Sequence, residues 1–470
     1  MADTSPSKHL GAQAIVIGGS IAGLVAARIL SDYFSKVTVI ERDPRPEEPL
    51  PRKSAPQMKH AHLLLGAANE ILETLHPGIT TELEQAGALL LDSGADVAIY
   101  HYGKWKPRFK MDFPTIGCSR PFLEWHIRRR TEAIANIEIR YEHTVERLVP
   151  NELRTMIVGV AVKNATGESN LYGDLVVDAA GRGTRAPRWL EALGYEKPFE
   201  QDVQVDLAYT SRLYERPAQV EGNWKALAVY SRMPAQRGAF VFEVEGGRWI
   251  VSLPGYFKDH CPTDEDGFLE FARSLPVPTV YESIRNAKPL SDPVTHKIPS
   301  SRWFRYDKMK KLPERLIMVG DSVVSLNPLY GQGMMMSILG LEAVAELLEQ
   351  RSKKGQGLAG LPQAAQKRIA DKIVPAWLLS TTMDLRYPKA VGPRPFGFGG
   401  IQRIFNNLID TSNDNVAACR VFYDVLHMRR GMQAIADPRL LAPLVGKSIK
   451  NVFTSSDKPA DNSPVPSIRP

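Results

Sequence analysis

Ala14-Ile15-Val16-Ile17-Gly18-Gly19-Ser20-Ile21-Ala22-Gly23-Leu24-Val25 is the stretch on which the reading of this chain turns. Four apolar residues running into glycine read as a parallel strand buried on both faces. Ile21, Leu24, Val25 and Ile29 then fall at helical offsets of 3, 4 and 8. Val37-Thr38-Val39-Ile40 supplies a second strand, so a βαβ unit fits within about 30 residues. Gly18 permits the tight turn and Gly23 lets helix and strand pack closely. A small residue between them lets the backbone approach a pyrophosphate at the helix N-terminus. Ser20 holds that middle position in place of the usual glycine; it is small and adds a hydroxyl donor. Glu41 closes the second strand 23 residues after Gly18. A carboxylate there accepts hydrogen bonds from ribose hydroxyls and repels a 2′-phosphate.

The far end of the expected ligand comes from Gly320-Asp321, which follows the apolar run Leu316-Ile317-Met318-Val319. Pro328, Gly331-Gln332-Gly333 and a long proline-free segment from Met334 to Gln350 come next. An aspartate at a strand end can bond a polyol, and glycines at a helix start can present backbone N–H groups to an electron-rich ring. A ligand touched by residues about 280 apart in sequence is long. FAD has an adenosine end for the first motif and a ribityl-flavin end for the second.

Around these motifs the chain is ordinary globular material: 470 residues, 43% hydrophobic and 24% charged. The net charge of +7 is spread out. Its densest cluster, Arg128-Arg129-Arg130, sits in a stretch that reads as amphipathic helix, so no nucleic-acid partner is expected. Cys118, Cys261 and Cys419 are widely separated, which fits a cytoplasmic protein without disulfides. No integral membrane segment is expected, because no apolar run reaches about 18–20 residues. Leu175-Val176-Val177 and Leu316 to Val319 are expected in the same sheet as Ala14–Ile17. Val203 to Leu213, Ala239 to Val244 and Trp249 to Leu253 alternate as antiparallel strands do, and 362–447 reads as several helices broken near Pro388, Pro393 and Pro395.

The expected fold class is therefore α/β: a Rossmann-like FAD-binding domain with an inserted antiparallel β-sheet substrate domain and a helical C-terminal region. The FAD-binding domain is expected from 10–85, 105–185 and 300–360, and the β-rich substrate domain from 86–104 and 186–299. The helical region is expected over 361–453, with a disordered Ser- and Pro-rich tail at 454–470.

With these motifs in place, residues 12 to 350 resemble the FAD-dependent monooxygenases of the aromatic hydroxylase type. Gly18 to Gly23, Glu41, Asp178-Ala179-Ala180-Gly181, Gly320-Asp321 and Gly331-Gln332-Gly333 carry that likeness. Pro51-Arg52-Lys53 to Leu64, Cys118-Ser119-Arg120, Ala180 to Gly183 and Asn327 to Gly331 make it look closest to bacterial natural-product epoxidases of the polyether type. The resemblance implies that Arg120 contacts the ribityl or phosphate region. The expected cofactor set is then Gly18, Ser20, Ile21, Ala22, Gly23, Glu41, Arg42, Arg52, Arg120, Asp321, Pro328, Gly331, Gln332, Gly333 and Met334. One departure is clear: such hydroxylases usually carry Gly-Ala-Asp-Gly where this chain has Asp178-Ala179-Ala180-Gly181, so a nicotinamide role for that acid does not carry over.

His60 and His62 bracket Ala61 and on a strand would share a face. No third ligand is near, so no metal is expected, and one of the pair is expected beside the ring or substrate. His62, Tyr209, Phe240, Phe242, Trp249 and Tyr256 are the expected substrate-pocket residues. No catalytic acid–base pair is found, in keeping with chemistry carried by the flavin.

The resemblance implies transfer of one oxygen atom from O2, through an FAD C4a-hydroperoxide, to a hydrophobic small-molecule substrate by epoxidation or ring hydroxylation. An FAD-dependent reductase of isoprenoid double bonds is the alternative. A halogenase fits poorly, because the W-x-W-x-I-P signature is absent. FAD is expected to be non-covalent, since neither His nor Cys adjoins the fingerprint. No second dinucleotide fingerprint is found, so NADPH or NADH is expected to visit the flavin directly; a partner flavin reductase is the other electron source.

Overall fold

The strand Gly11–Ile17 is the centre of a five-stranded parallel sheet in the computed structural model, which describes residues 9–111, 113–431 and 463–469. On one side it pairs with Phe34–Ile40, then Ile137–Arg140; on the other with Leu175–Asp178, then Leu316–Met318. Ala14, Ile15 and Val16 are completely buried, as a strand covered on both faces must be. Strand order reverses at this central strand, and the crevice for a ligand opens at the carboxyl ends on either side of it. The helix Ile21–Leu30 starts there and buries Ile21, Leu24, Val25 and Ile29. Both later strands expected in this sheet belong to it.

A second, eight-stranded sheet faces the crevice. Its order is Val324–Ser325, Val294–Phe304, Glu200–Glu215, Arg248–Gly255, Ala239–Val244, Ala226–Tyr230, Val97–His101 and Lys104–Trp105. It is antiparallel apart from the parallel pair Ala226–Tyr230 with Val97–His101. Val294–Phe304 runs through the boundary expected at 299/300 and pairs with Glu200–Glu215 over most of its length. The two lobes thus share a strand rather than meet at a linker. On the outer face of this sheet Trp224 and Trp249 stack at 5.1 Å against Phe268 and Phe271, forming a separate core.

Gly333–Lys353 is the expected long helix, followed by Leu361–Leu385, Phe398–Asp414 and Val416–Leu426. The expected helices beyond residue 431, and the tail as far as 462, lie outside the described residues. Residues 463–469 depart from the expected disorder. Ile468-Arg469 pairs with Arg108-Phe109, the Trp105 indole donates to the Ser463 carbonyl at 2.9 Å, and Val465 is buried in the outer core. Composition alone did not show this docking, because backbone pairing and one valine supply it. Among the described residues no helix is long and apolar enough to cross a membrane.

Candidate active site

The fingerprint turn is built as its glycines require. Gly18 has φ +97°, and a Cβ there would stand 2.7 Å from the Ala179 carbonyl oxygen. At Gly23 a Cβ would come within 1.8 Å of the Gly18 carbonyl oxygen. Gly19 N–H donates to Glu41 Oε2 at 2.9 Å, while Asp43 N–H takes Oε1 at 2.9 Å. Ser20 does not cap its helix; its hydroxyl donates to Glu124 Oε2 at 2.6 Å.

Glu124 leads to a buried ionic cluster that the sequence reading missed. Arg52 reaches Glu124 at 2.6 Å, Asp43 at 2.9 Å and Glu41 at 3.2 Å. Arg128 pairs with Glu124 at 3.0 Å and donates to the Gly19 carbonyl. Burial opposes the Glu124 charge, but Arg52, Arg128 and Arg120 outweigh it and hold its carboxyl below the ordinary range. Arg128 is therefore a buried brace of the Gly18–Gly23 turn, not part of a solvated basic face. The i, i+4 spacing of Glu124 and Arg128 on the Arg120–Glu132 helix was the available signal.

A continuous cavity of about 500 Å³ starts at this turn. Gly18, Ser20, Ile21, Ala22, Glu41, Arg42, Arg52, Arg120, Asp321, Pro328, Gly331, Gly333 and Met334 line it. Gly23 lies beneath it as the packing contact. Gln332 stands behind the wall, fully buried with neither amide atom paired. The Asp321 carboxylate accepts no hydrogen bond from any described residue. Burial pushes its pKa up, against the pull of Arg120, Arg182 and Arg302. Arg120 reaches Ser20 Oγ only at 3.4 Å and keeps a buried, unpaired Nε. A glycine cradle, a lone carboxylate and an under-bonded guanidinium along one groove fit the pyrophosphate and polyol of FAD.

Past Asp321 the cavity turns apolar against the inner face of the large sheet. His62, Tyr209, Phe240 and Phe242 are on its wall, with Val97, Ile99, Ala228 and Tyr230 beside them. Residues 60–63 form an extended loop rather than a strand. His62 reaches the cavity, whereas His60 turns away to bond Ser211 Oγ at 2.7 Å. His62 Nδ1 must donate to the His60 carbonyl, 2.9 Å away, which leaves Nε2 as an acceptor. Burial, then Arg120, lowers the His62 pKa to about 3, so the ring is neutral. Burial raises the Tyr209 phenol and keeps it a donor.

Two expected pocket residues are elsewhere. Trp249 is on the outer face, because side chains alternate along Arg248–Gly255 and its parity matches Val251 and Leu253 of the outer core. Tyr256 stands behind the Asn327–Gly331 loop. Conversely, Tyr423, Leu426 and His427 from the end of the chain complete the cavity wall. His427 is held there by accepting the Gly66 N–H at 3.1 Å. Nothing local in sequence marks these three, since they reach the site only by tertiary packing.

Asp384, on the Leu361–Leu385 helix, anchors the loop from behind. Its Oδ1 accepts from Asn327 at 2.7 Å, Tyr330 at 2.9 Å and Tyr256 at 3.3 Å, while Oδ2 is buried without a partner. Burial pushes its pKa up to about 7, against the pull of those three donors. A carboxyl whose folded pKa exceeds its unfolded value favours folding while protonated, so its contribution falls as pH rises from about 4 to 7. Asp384→Asn is therefore expected to gain in Tm relative to wild type between pH 5 and pH 8. A constant Tm difference across that range would contradict the assignment.

No family profile matches the chain. Protein Rv3254 of Mycobacterium tuberculosis H37Rv is 30% identical over 460 residues, covering 95% of this chain and 94% of that protein. Among solved structures, a flavoprotein/dehydrogenase from Cytophaga hutchinsonii superposes with TM-score 0.67 at 14% identity, over 94% of this chain and 98% of that one. The p-nitrophenol 4-monooxygenase PnpA from Pseudomonas putida DLL-E4 gives 0.64 at 17%, over 90% and 99%. The flavin-dependent halogenase CmlS gives 0.63 at 14%, over 93% and 77%. Alike to protein Rv3254 over nearly the whole of both chains and superposing on these structures over most of its length, the chain belongs to the family of protein Rv3254 and has the fold of the FAD-dependent aromatic hydroxylase type.

Proposed function

We propose that this protein binds FAD non-covalently and, with electrons from NAD(P)H, inserts one oxygen atom from O2 into a hydrophobic small molecule, by epoxidation or hydroxylation. The observation that carries this reading is the single cavity running from the Gly18 turn, past Asp321, to the Phe240 and Phe242 wall. The likeness to p-nitrophenol 4-monooxygenase supports it. Bound FAD would supply the reduction of O2. The turn and helix N-terminus at Gly18–Gly23 would hold the pyrophosphate, Glu41 and Arg42 the adenosine end, Arg120 and Asp321 the ribityl chain. Pro328, Gly331, Gly333 and Met334 would flank the ring.

The chain's own part in turnover is to position the substrate and keep out water. The aromatic wall takes an apolar substrate skeleton. Neutral His62 offers an acceptor and Tyr209 a donor for one polar substituent. Among the described residues no acidic side chain lines the apolar half beyond Asp321, which disfavours cationic substrates.

The test starts from purified protein with candidate polyketide, terpenoid and aromatic substrates. Denaturation should release intact FAD, and NADPH with a substrate should drive O2 uptake with a product heavier by one oxygen. A flavin-free protein would overturn the assignment, and a product heavier by two hydrogens without O2 uptake would make the enzyme a reductase. Because Asp321 accepts no hydrogen bond from any described residue and feels Arg120, Arg182 and Arg302 only through their charge, Asp321→Ala should leave the fold intact. It should weaken FAD roughly ten- to a hundredfold, as for loss of one charged hydrogen bond. Fluorescence titration of the apoprotein reads this, and an unchanged affinity would refute the role.

A further inference from the structure

The C-terminal helices carry a surface that the proposed reaction does not use. After the Leu361–Leu385 helix the chain makes a turn rich in proline and glycine and enters the Phe398–Asp414 helix. The two helices meet through Leu379, Met383 and Ile409. Outside that seam stand Leu378 and Ile404, and the turn adds Val391 and Phe396, whose exposures are 61% and 105%. A fully projecting phenylalanine among other exposed aliphatics is unusual for a surface that meets only water.

Charge points the same way. Between Asp384, which is completely buried, and Asp410 the sequence holds four basic residues and no acid. Lys389, Arg394 and Arg403 are exposed; Arg394 and Arg403 form no ion pair with any described residue, while Lys389 makes no contact pair but helps to hold the Asp259 carboxyl below its ordinary range. Arg394 donates only to the carbonyls of Leu385, Tyr387 and Ala390, so it braces the turn that presents Phe396 while keeping its charge uncompensated.

We propose that this face docks on an anionic lipid surface, with Phe396 and Ile404 in the interface and Lys389, Arg394 and Arg403 against the head groups. Apolar side chains flanked by unpaired cations are the pattern of a helix that lies on a bilayer without crossing it. A second copy of the chain fits less well, because a two-fold contact through this face would bring the same cations together. The next helix, Val416–Leu426, ends at the cavity wall, so docking would set that wall close to a store of apolar molecules. The inference stands on the surface alone and does not depend on the proposed reaction.

The full-length, flavin-loaded protein should sediment with vesicles of phosphatidylglycerol and phosphatidylcholine, and far less with phosphatidylcholine alone. Raising the salt should release it. Replacing Lys389, Arg394 and Arg403 together by glutamine should weaken binding at least tenfold, given about fivefold per basic residue near such a surface. Phe396→Glu should do the same without changing flavin content, because that side chain touches solvent only. The three native cysteines are buried, so Phe396→Cys can carry an environment-sensitive dye, whose emission should shift to the blue on anionic vesicles. Failure of the wild type to sediment, equal binding to neutral vesicles, or an unshifted dye would overturn the proposal. Concentration-dependent dimerisation abolished by Phe396→Glu, with no lipid binding, would assign the face to self-association instead.

Discussion

Gly23→Ala is expected to yield a chain that holds no flavin and unfolds far more easily than wild type. The added Cβ would sit 1.8 Å from the Gly18 carbonyl oxygen, where ordinary contact needs 3.4 Å or more. Neither side can yield. Gly18 is fixed by its N–H bond to the Ile40 carbonyl at 2.8 Å and by the Ala179 carbonyl close to its own Cα, and the helix bearing Gly23 is buried along most of its length. Overpacking of a core usually costs about 1–3 kcal/mol, and a clash with backbone belongs at or above the top of that range. Gly357→Ala makes the matched control, because nothing lies within 4 Å of a Cβ there; its effect should stay within about 0.5 kcal/mol. Urea unfolding together with flavin content separates the two. Near-wild-type flavin in Gly23→Ala would mean that the turn is not packed as described.

Arg128→Ala should cost about 3–5 kcal/mol, the usual penalty for removing one partner of a buried ion pair. Its guanidinium is 2% exposed, its partner Glu124 equally so, and its loss also leaves the Gly19 carbonyl without that donor. Arg52 would then be the remaining ion-pair partner of Glu124, Asp43 and Glu41, helped at Glu124 only by the field of Arg120. The neighbouring Arg129→Ala removes only an exposed charge over the Trp125 ring and should cost less than about 1 kcal/mol. Combining Arg128→Met with Glu124→Leu should recover part of the loss, since both members of the pair go together and Arg52 keeps Asp43 and Glu41 as partners. Equal midpoints for Arg128→Ala and Arg129→Ala in urea would place Arg128 in solvent.

The contrast between these two arginines shows what the sequence could and could not disclose. The βαβ unit was legible because its constraints are local: a buried strand, a turn that tolerates no Cβ, and a helix in fixed succession. Asp321 was legible for the same reason, standing at a strand end before a glycine-rich helix start. The burial of Arg128 was not, because three consecutive arginines look alike until one knows which helix face meets the nucleotide turn. Trp249 was misplaced by the same kind of gap. Alternation divides a strand into two faces but does not say which face turns toward the cavity. Tyr423, Leu426 and His427 lie beyond the stretch that carries the resemblance, and only the folded chain brings them back to the site.

That return of residues 423–427 to the cavity that starts at Gly18 fixes an order of assembly during synthesis. The loops proposed to hold the cofactor are complete once residue 334 is available, whereas the last wall of the cavity waits for His427. At about 5–20 residues per second, the interval between them is roughly 5–20 s. Until Leu316–Met318 emerges, the Leu175–Asp178 strand is also an open edge of the parallel sheet. A nascent chain can therefore offer the proposed nucleotide crevice before it has a closed chamber, so that capture of the proposed cofactor would precede closure and help to hold the half-built sheet in register.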